Sequence, residues 1–262
     1  MNIKNSHGLS FDFLENGSVQ HIEVDPIRIS LKSATSYSKL GANLYIRKRA
    51  NPIEFRALLG PESNSHFQIT QDSFIAKGNW DGLDYKCVLQ LSEKSLSWQW
   101  SIDITNISAG NVELDIIYVQ DVGLKQISDG LVNEYYVSQY LERLILEDYQ
   151  YGSVICCRQN TKESVGNPWL MIASRIKAAS ASTDGMQFLG KTFRQTGIAE
   201  GLLADKLGGE YSGESSIVAI QEKPFKLLVG NNHKSAFVCS YLPDHPAATS
   251  DLDLKLIPNL MR

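Results

Sequence analysis

Four residues near the middle of the chain, Tyr135, Tyr136, Gln139 and Tyr140, combine ring faces with hydroxyl and amide groups. That is the chemistry a sugar-binding surface needs, because an aromatic face covers the C–H side of a pyranose while polar groups take up its hydroxyls. The same spacing also suits a packing stripe along a helix, so a ligand or interface role and a core role both stand. Trp80, in the run Trp80-Asp81-Gly82-Leu83-Asp84, is a second candidate. A hairpin turn there would present an aromatic platform beside two carboxylates, or would be a solvated turn with its indole in the core. Glu142 and Arg143 add charge at the end of the tyrosine cluster, and Arg143 could pair with Glu147 four residues on.

Other chemistry is absent from the sequence pattern. There is no G-x-x-x-x-G-K-[ST], G-x-G-x-x-G, H-E-x-x-H or G-x-S-x-G. The nearest phosphate-loop look-alike, the run from Gly208 to Gly213, lacks the Lys and Ser/Thr such a loop requires. The five histidines, His7, His21, His66, His233 and His245, lie far apart, none with a Cys or His neighbour at metal-ligand spacing. A glycosidase carboxylate pair is defined by separation in space rather than along the chain. The expectation is therefore no catalytic residue, no metal and no bound cofactor on this chain.

The bulk properties are those of a water-soluble folded protein: 262 residues, 43% apolar and 21% charged. A formal charge of −4 supplies no net positive field for nucleic acid or an anionic membrane, and neither is expected as a partner. The short basic run Arg47-Lys48-Arg49 reads as a solvated strand end or turn. The first residues lack the apolar core of a signal peptide, and no run of about 18 apolar residues occurs, so a cytoplasmic protein is expected. Cys87, Cys156, Cys157 and Cys239 match no disulfide framework and read as buried free thiols.

The elements that would position these residues are mostly strands. In 96–105, Leu96, Trp98, Trp100, Ile102 and Ile104 alternate with polar residues, which places every apolar side chain on one face of a half-buried strand. The turn-forming NISAGN then leads into a second run, 112–119, and the two read as a hairpin. Asn16-Gly17 signals another hairpin. Short alternating runs recur along 9–91 and again along 153–241, with 186–189 among them and 197–213 as a long surface loop. The stretch 128–147 departs from this rhythm: Val132, Tyr136, Tyr140 and Leu144 recur at i+4, which predicts a helix. No linker or repeat interrupts the chain. One all-β domain over 1–262 is expected, with a linker start at 252–262, and so many strands call for two large packed antiparallel sheets, a supersandwich.

Three segments carry a family resemblance: YVQDVGLKQISDGLVNEYYVSQYL at 118–141, STDGMQFLGKTFRQTG at 182–197 and LPDHPAATSDLDL at 242–254. Together they resemble the N-terminal β-sandwich of glycoside hydrolase family 94, the inverting disaccharide and oligosaccharide phosphorylases, and are most similar to its 1,2-β-oligoglucan phosphorylase branch. The resemblance implies a galactose-mutarotase-like supersandwich that precedes a helical linker and an (α/α)6 barrel carrying the general acid and the site for inorganic phosphate, the co-substrate. This chain matches the sandwich part alone. It implies a non-catalytic domain that packs on such a barrel, of the same or a neighbouring polypeptide, supports a homodimer and closes one side of a site for a β-glucan oligosaccharide. Two other readings remain: a free-standing carbohydrate-binding module, favoured by an exposed aromatic row, and an aldose-epimerase-like enzyme, which requires a His and a carboxylate converging in a cleft.

Overall fold

The computed structural model of the chain describes residues 1–38, 41–129, 136–213 and 215–260. Five short strands, β1 (Asn2–Lys4), β2 (Leu9–Phe13), β3 (Val19–Val24), β4 (Ile27–Arg28) and β12 (Lys125–Gln126), form a small sheet in that order. The large sheet contains β5 (Asn43–Lys48), β6 (Glu54–Ala57), β7 (His66–Ile69), β8 (Ser73–Trp80), β9 (Leu83–Leu91), β10 (Ser97–Asn106), β11 (Val112–Asp121), β13 (Leu141–Asp148), β14 (Gly152–Gln159), β15 (Trp169–Ser174), β16 (Ala178–Ser182), β17 (Ile217–Glu222), β18 (Phe225–Leu227) and β19 (Asn232–Leu242). Its main path runs β6-β5-β11-β17-β16-β14-β15-β19-β10-β9-β8-β7, with β13 on β14 and β18 on β11. Among the described residues the strand pairings are antiparallel apart from the parallel contact of Gly152 with Ala178; an isolated bridge of Ser182 with Gly209 is also parallel. The expected two-sheet supersandwich is what forms.

The small sheet closes the principal core. Phe11 of β2 meets Trp98 of β10 edge to face at 5.4 Å, and Phe74 of β8 meets Trp100 at 6.3 Å. Both indoles are buried as the alternation of β10 requires. The pairing of β10 differs from expectation. Its neighbours are β9 and β19, whereas β11 takes β5, β17 and β18, so the two strands flanking NISAGN do not form a hairpin. They face one another across the core: Tyr118 of β11 lies 5.6 Å from Phe237 of β19, the strand next to β10. Asn106 holds the connection, its amide donating to the carbonyls of Gly110 and Leu227 at 2.9 and 3.1 Å.

Three further local expectations change. Of the helix predicted over 128–147, residues 128–129 and 136–137 are helical and 130–135 lie outside the described residues, whereas 141–147 belong to strand β13. An i+4 repeat is also an even repeat, so Leu141 and Ile145 share one strand face; Leu144 and Leu146 occupy the other, and both faces pack against core. A strand buried on both sides loses the polar alternation that would reveal it. Residues 186–189 lie in a helix, Gly185–Leu189, whose first turn is capped by the Asp184 carboxylate accepting from the Gln187 backbone at 3.2 Å. The Asn16-Gly17 hairpin joins β2 to β3 as expected, but through residues 14–18 rather than a two-residue turn, with Gly17 at φ 76° and the Asn16 side-chain Oδ1 accepting from Ser18 N at 3.1 Å.

The outer face of the large sheet is also covered. The segment 185–207 places Phe188, Ala199, Leu202 and Leu207 on Tyr45, Ile117 and Ala219. The C-terminal turn places Ile257, Leu254, Leu256 and Leu260 on Cys156, Trp169, Met171 and Val238. Arg47, expected in solvent, is fully buried between these layers. It forks onto Asp115 of β11 at 2.6 and 2.7 Å and donates to the carbonyls of Leu202 and Ala204 at 3.1 and 2.7 Å. Arg49 and Gln221 also donate to Asp115, each at 2.9 Å. A bidentate charge-assisted pair with its remaining donors on carbonyls is the arrangement that makes a buried guanidinium tolerable.

Two measurable consequences follow. Arg47→Met leaves the buried Asp115 carboxylate only Arg49 and Gln221 as partners and lowers the unfolding free energy by about 3 kcal/mol; in a chemical denaturation cycle, the double variant with Asp115→Leu loses less than the two single losses summed. Burial pushes the Glu222 carboxyl from 4.5 to about 7, against the opposing hydroxyls of Ser174 and Ser235, and pushes Asp121 from 3.8 to about 6, against the opposing Lys32 backbone N–H. The folded state then holds protons more tightly than the unfolded state. Stability from these groups is fully present below their unfolded values and is lost as pH rises through about 6 to 7. The thermal midpoint falls over that window, and Glu222→Gln makes the fall shallower.

Candidate functional site

The short turn leading into β13 gathers the candidate aromatic residues. Residues 136–137 are helical and Ser138–Tyr140 form a 3-10 turn. A helical turn of this kind turns one side of itself to the core and the other to solvent. Val137 and Ser138 are buried, whereas Tyr136 and Tyr140 are 60% and 53% exposed and Gln139 is also exposed. Tyr135 lies outside the described residues.

The turn is fastened from several sides. Ser138 Oγ lies 2.8 Å from Ser216 Oγ and accepts from Ser216 N at 3.1 Å. Arg143 of β13, buried rather than on a helix surface beside Glu147, donates to the carbonyls of Ser138 and Gly213. The Tyr140 carbonyl accepts from Asn160 N at 2.9 Å. Such anchoring holds the two phenol rings in place before any ligand arrives, which lowers the entropy lost on binding.

Between the rings and the neighbouring loops lies a groove of about 450 Å³, lined by Lys125, Tyr136, Val137, Tyr140 and Thr161. Its wall depends on Glu163, whose side chain is 1% exposed. Glu163 takes Lys125 Nζ at 2.6 Å on one oxygen and Gln126 N at 3.1 Å on the other. This joins the 160–167 loop to β12 of the small sheet. Beneath it, burial, with a smaller contribution from Glu163, drives the Tyr241 phenol well above its ordinary value. Lys125, Thr161 and Glu163 carry no sequence signal that links them to the tyrosines; only packing brings them together.

The groove's described lining offers two aromatic faces, a threonine hydroxyl and an ammonium group, and no carboxyl group belongs to it among the described residues. The two carboxyl groups that burial raises most clearly, Asp121 and Glu222, do not line it either. Among the described residues, no cluster of three or more His, Cys, Asp or Glu is placed to hold a metal ion. All four cysteines are buried and free.

Trp80 does not join the tyrosines. It is 4% exposed within the principal core, and Lys48 Nζ lies over its ring at 4.4 Å, with Arg56 at 5.9 Å. The turn beside it is the expected hairpin, with Asp81 at φ 47° and Gly82 at φ 80°, but it offers no open ring face. A His and a carboxylate do converge elsewhere: His245 Nε2 lies 2.9 Å from an Asp253 oxygen. Its other ring nitrogen lies 2.9 Å from the Ala247 carbonyl oxygen, and Trp169 stacks on the imidazole at 4.9 Å. With both ring nitrogens and one ring face engaged, the pair fastens the C-terminal turn.

Exposure and burial predict opposite outcomes within the turn. Tyr140→Ala, a substitution of a half-exposed ring, shifts the unfolding free energy by no more than about 0.5 kcal/mol. Val137→Ala removes two buried carbons and costs about 1.5 kcal/mol. Chemical denaturation of the two variants checks both values.

Comparison with known proteins places this architecture. The chain is 24% identical over 211 residues to a 1,2-beta-oligoglucan phosphorylase of Listeria innocua serovar 6a, a match that covers 78% of this chain and 19% of that protein. It therefore spans about a fifth of its relative's length. A solved polysaccharide lyase matches 96% of the chain at TM-score 0.57 and 9% identity, over 34% of the lyase. A bacterial glucoamylase solved with acarbose matches the whole chain at TM-score 0.55 and 9% identity, again over 34% of its own length. These two likenesses concern the fold alone. No helix among the described residues is long and apolar enough to cross a membrane. The model of the SOGP N-terminal domain matches residues 12–239, and the chain belongs to that family.

Proposed function

We propose that the chain is the non-catalytic N-terminal carbohydrate-associated domain of an inverting β-glucan phosphorylase of the 1,2-β-oligoglucan kind. In this reading it packs on a separate (α/α)6 barrel, of the same or a neighbouring polypeptide, and supports that barrel. The general acid and the site for inorganic phosphate belong to the barrel. The domain contributes the aromatic groove of Tyr136 and Tyr140 as one wall for a β-glucan oligosaccharide, and it works in the cytoplasm, within a homodimer.

The observation that carries this reading is the composition of the groove: two half-exposed tyrosines on an anchored turn, with no carboxyl group among the described lining residues. Inverting phosphorolysis needs a carboxylic acid to protonate the leaving oxygen while phosphate attacks the opposite face of the sugar. A groove with rings and hydroxyls but no acid can hold a glucan without cleaving it. Similarity along most of this chain to one fifth of an oligoglucan phosphorylase supports the same division of labour. The exposed tyrosines also suit a free-standing carbohydrate-binding module, which differs in needing no barrel.

The chain alone, given β-1,2-gluco-oligosaccharides and inorganic phosphate, releases no glucose 1-phosphate in this account. Robust turnover would place the catalyst within these 262 residues and contradict it. In calorimetric titration with the same oligosaccharides, Tyr140→Ala weakens binding by about tenfold, the effect of losing roughly 1.4 kcal/mol of ring contact. Undiminished affinity would remove the groove from the sugar path.

A further inference from the structure

The helical segment and the C-terminal turn cover the outer face of the large sheet over β5, β11 and β17 and over β14 and β15. Over β9, β10 and the first half of β19 the same face holds a trough of about 410 Å³, with Arg175 and Ile176 along its rim. We propose that this trough binds an acidic oligosaccharide, a polyhydroxy chain that bears carboxylate or sulfate groups. A second hollow of about 530 Å³ shares Gln99 with it and lengthens it along β10, which suits a chain of sugars better than a single ring.

The strand register sorts the trough into rows of different chemistry. The even-numbered residues of β10 point into the core, so Gln99, Ser101 and Asp103 face outward. Lys77, Lys86, Asp103 and Lys234 stand side by side across four strands. Beside them run Ile75, Val88, Ser101 and Ala236. Gln90 and Gln99 head the row beyond. Rows on one face are two residues apart, about 7 Å. A pyranose chain on the middle row sets its C–H surface on Ile75, Val88 and Ala236, its hydroxyls against the amides, and its acidic groups against the lysines. Gln99 Nε2 donates to Ser101 Oγ at 2.6 Å, which fixes that amide in place.

The charged row points to an anion. Lys77 and Lys86 are direct cross-strand neighbours, and like charges so placed repel. Asp103, opposite Lys86 on the other side, is already engaged: Lys234 Nζ lies 3.9 Å from one of its oxygens and the Asn232 amide donates to the other. Among the described residues, Lys77, Lys86 and Arg175 form no ion pair. An anion seated between Lys77 and Lys86 replaces their repulsion with two charge-assisted contacts. An acidic peptide would meet the same lysines but makes less use of the amide row, and the described lining of the trough offers no aromatic ring on which nucleic-acid bases could stack. The trough shares no lining residue with the Tyr136 and Tyr140 groove, so this proposal stands apart from the reading above.

The experiment titrates the whole chain with a galacturonate tetramer, a sulfated heparin tetrasaccharide, a β-1,2-linked glucose tetramer and polyglutamate, following binding by calorimetry at low and high salt. At least one acidic tetrasaccharide binds tenfold or more tightly than the neutral tetramer and than polyglutamate, more weakly at high salt, and the preferred one identifies the acidic group. Lys86→Gln and Arg175→Gln each weaken that binding about tenfold. Both side chains are exposed, so both variants fold. In the free chain Lys86→Gln raises the thermal midpoint, because it removes the repulsion from Lys77. The proposal is overturned if neither acidic tetrasaccharide binds, if polyglutamate or the neutral tetramer binds as tightly, if binding survives both Lys86→Gln and Arg175→Gln, or if Lys86→Gln lowers the midpoint of the free chain.

Discussion

A sheet that is apolar on both faces must be covered on both faces, and this requirement organises the molecule. The strands Gly152–Gln159, Trp169–Ser174 and Ile217–Glu222 are buried along their entire length. Each buried aliphatic or aromatic side chain on such a strand contributes roughly 1.5–3 kcal/mol, so neither face can be left to water. The small N-terminal sheet covers the inner face, and the helical segment after Ser182 with the C-terminal turn covers the outer one. The tyrosine groove opens at the edge of the small sheet, between Lys125 and the turn that enters Leu141–Asp148.

Covering a sheet with irregular chain creates a polar difficulty, since a loop brings backbone carbonyls into the interior. The pair of Arg47 and Asp115 answers it on the outer face. The guanidinium takes the carbonyls of the 201–204 segment while the carboxylate neutralises it and collects Arg49 and Gln221. Glu163 does the equivalent at the rim of the inner face, joining the 160–167 loop to the small sheet through Lys125 and Gln126. In both places a buried ion pair locates a covering segment, and in the second it also shapes the wall of the tyrosine groove. The proposed glucan wall thus rests on the same device that solves the packing problem.

How much of this is legible in the sequence depends on how local each interaction is. The alternation of Ser97–Asn106 announces its buried face because one side stays half-exposed. Its partner strands do not follow from the nearest run, because NISAGN connects two strands whose edges are already taken by β9 and β19 and by β5 and β17. Leu141–Asp148 hides as a helix since both of its faces are buried and an i+4 repeat is shared by the two structures. Arg47 reads as a surface residue for want of any local sign of Asp115, 68 positions away. At the candidate site the tyrosines stand out by residue type, whereas Lys125, Thr161 and Glu163 become its neighbours only when the small sheet and the loop after Gln159 close together. Trp80 shows the converse: a residue type suited to sugar stacking that the core and Lys48 have covered.

The central claim is that this domain holds a glucan through the anchored tyrosine turn and carries no catalyst of its own. Amide chemical-shift mapping of the whole chain during titration with a β-1,2-gluco-oligosaccharide addresses it most directly, since it reports location as well as binding. The account predicts saturable shifts confined to Lys125, the Tyr136 to Tyr140 turn and the loop around Thr161, with no sugar consumed. An absence of shifts at saturating sugar, or shifts centred on another face of the sandwich, would contradict it.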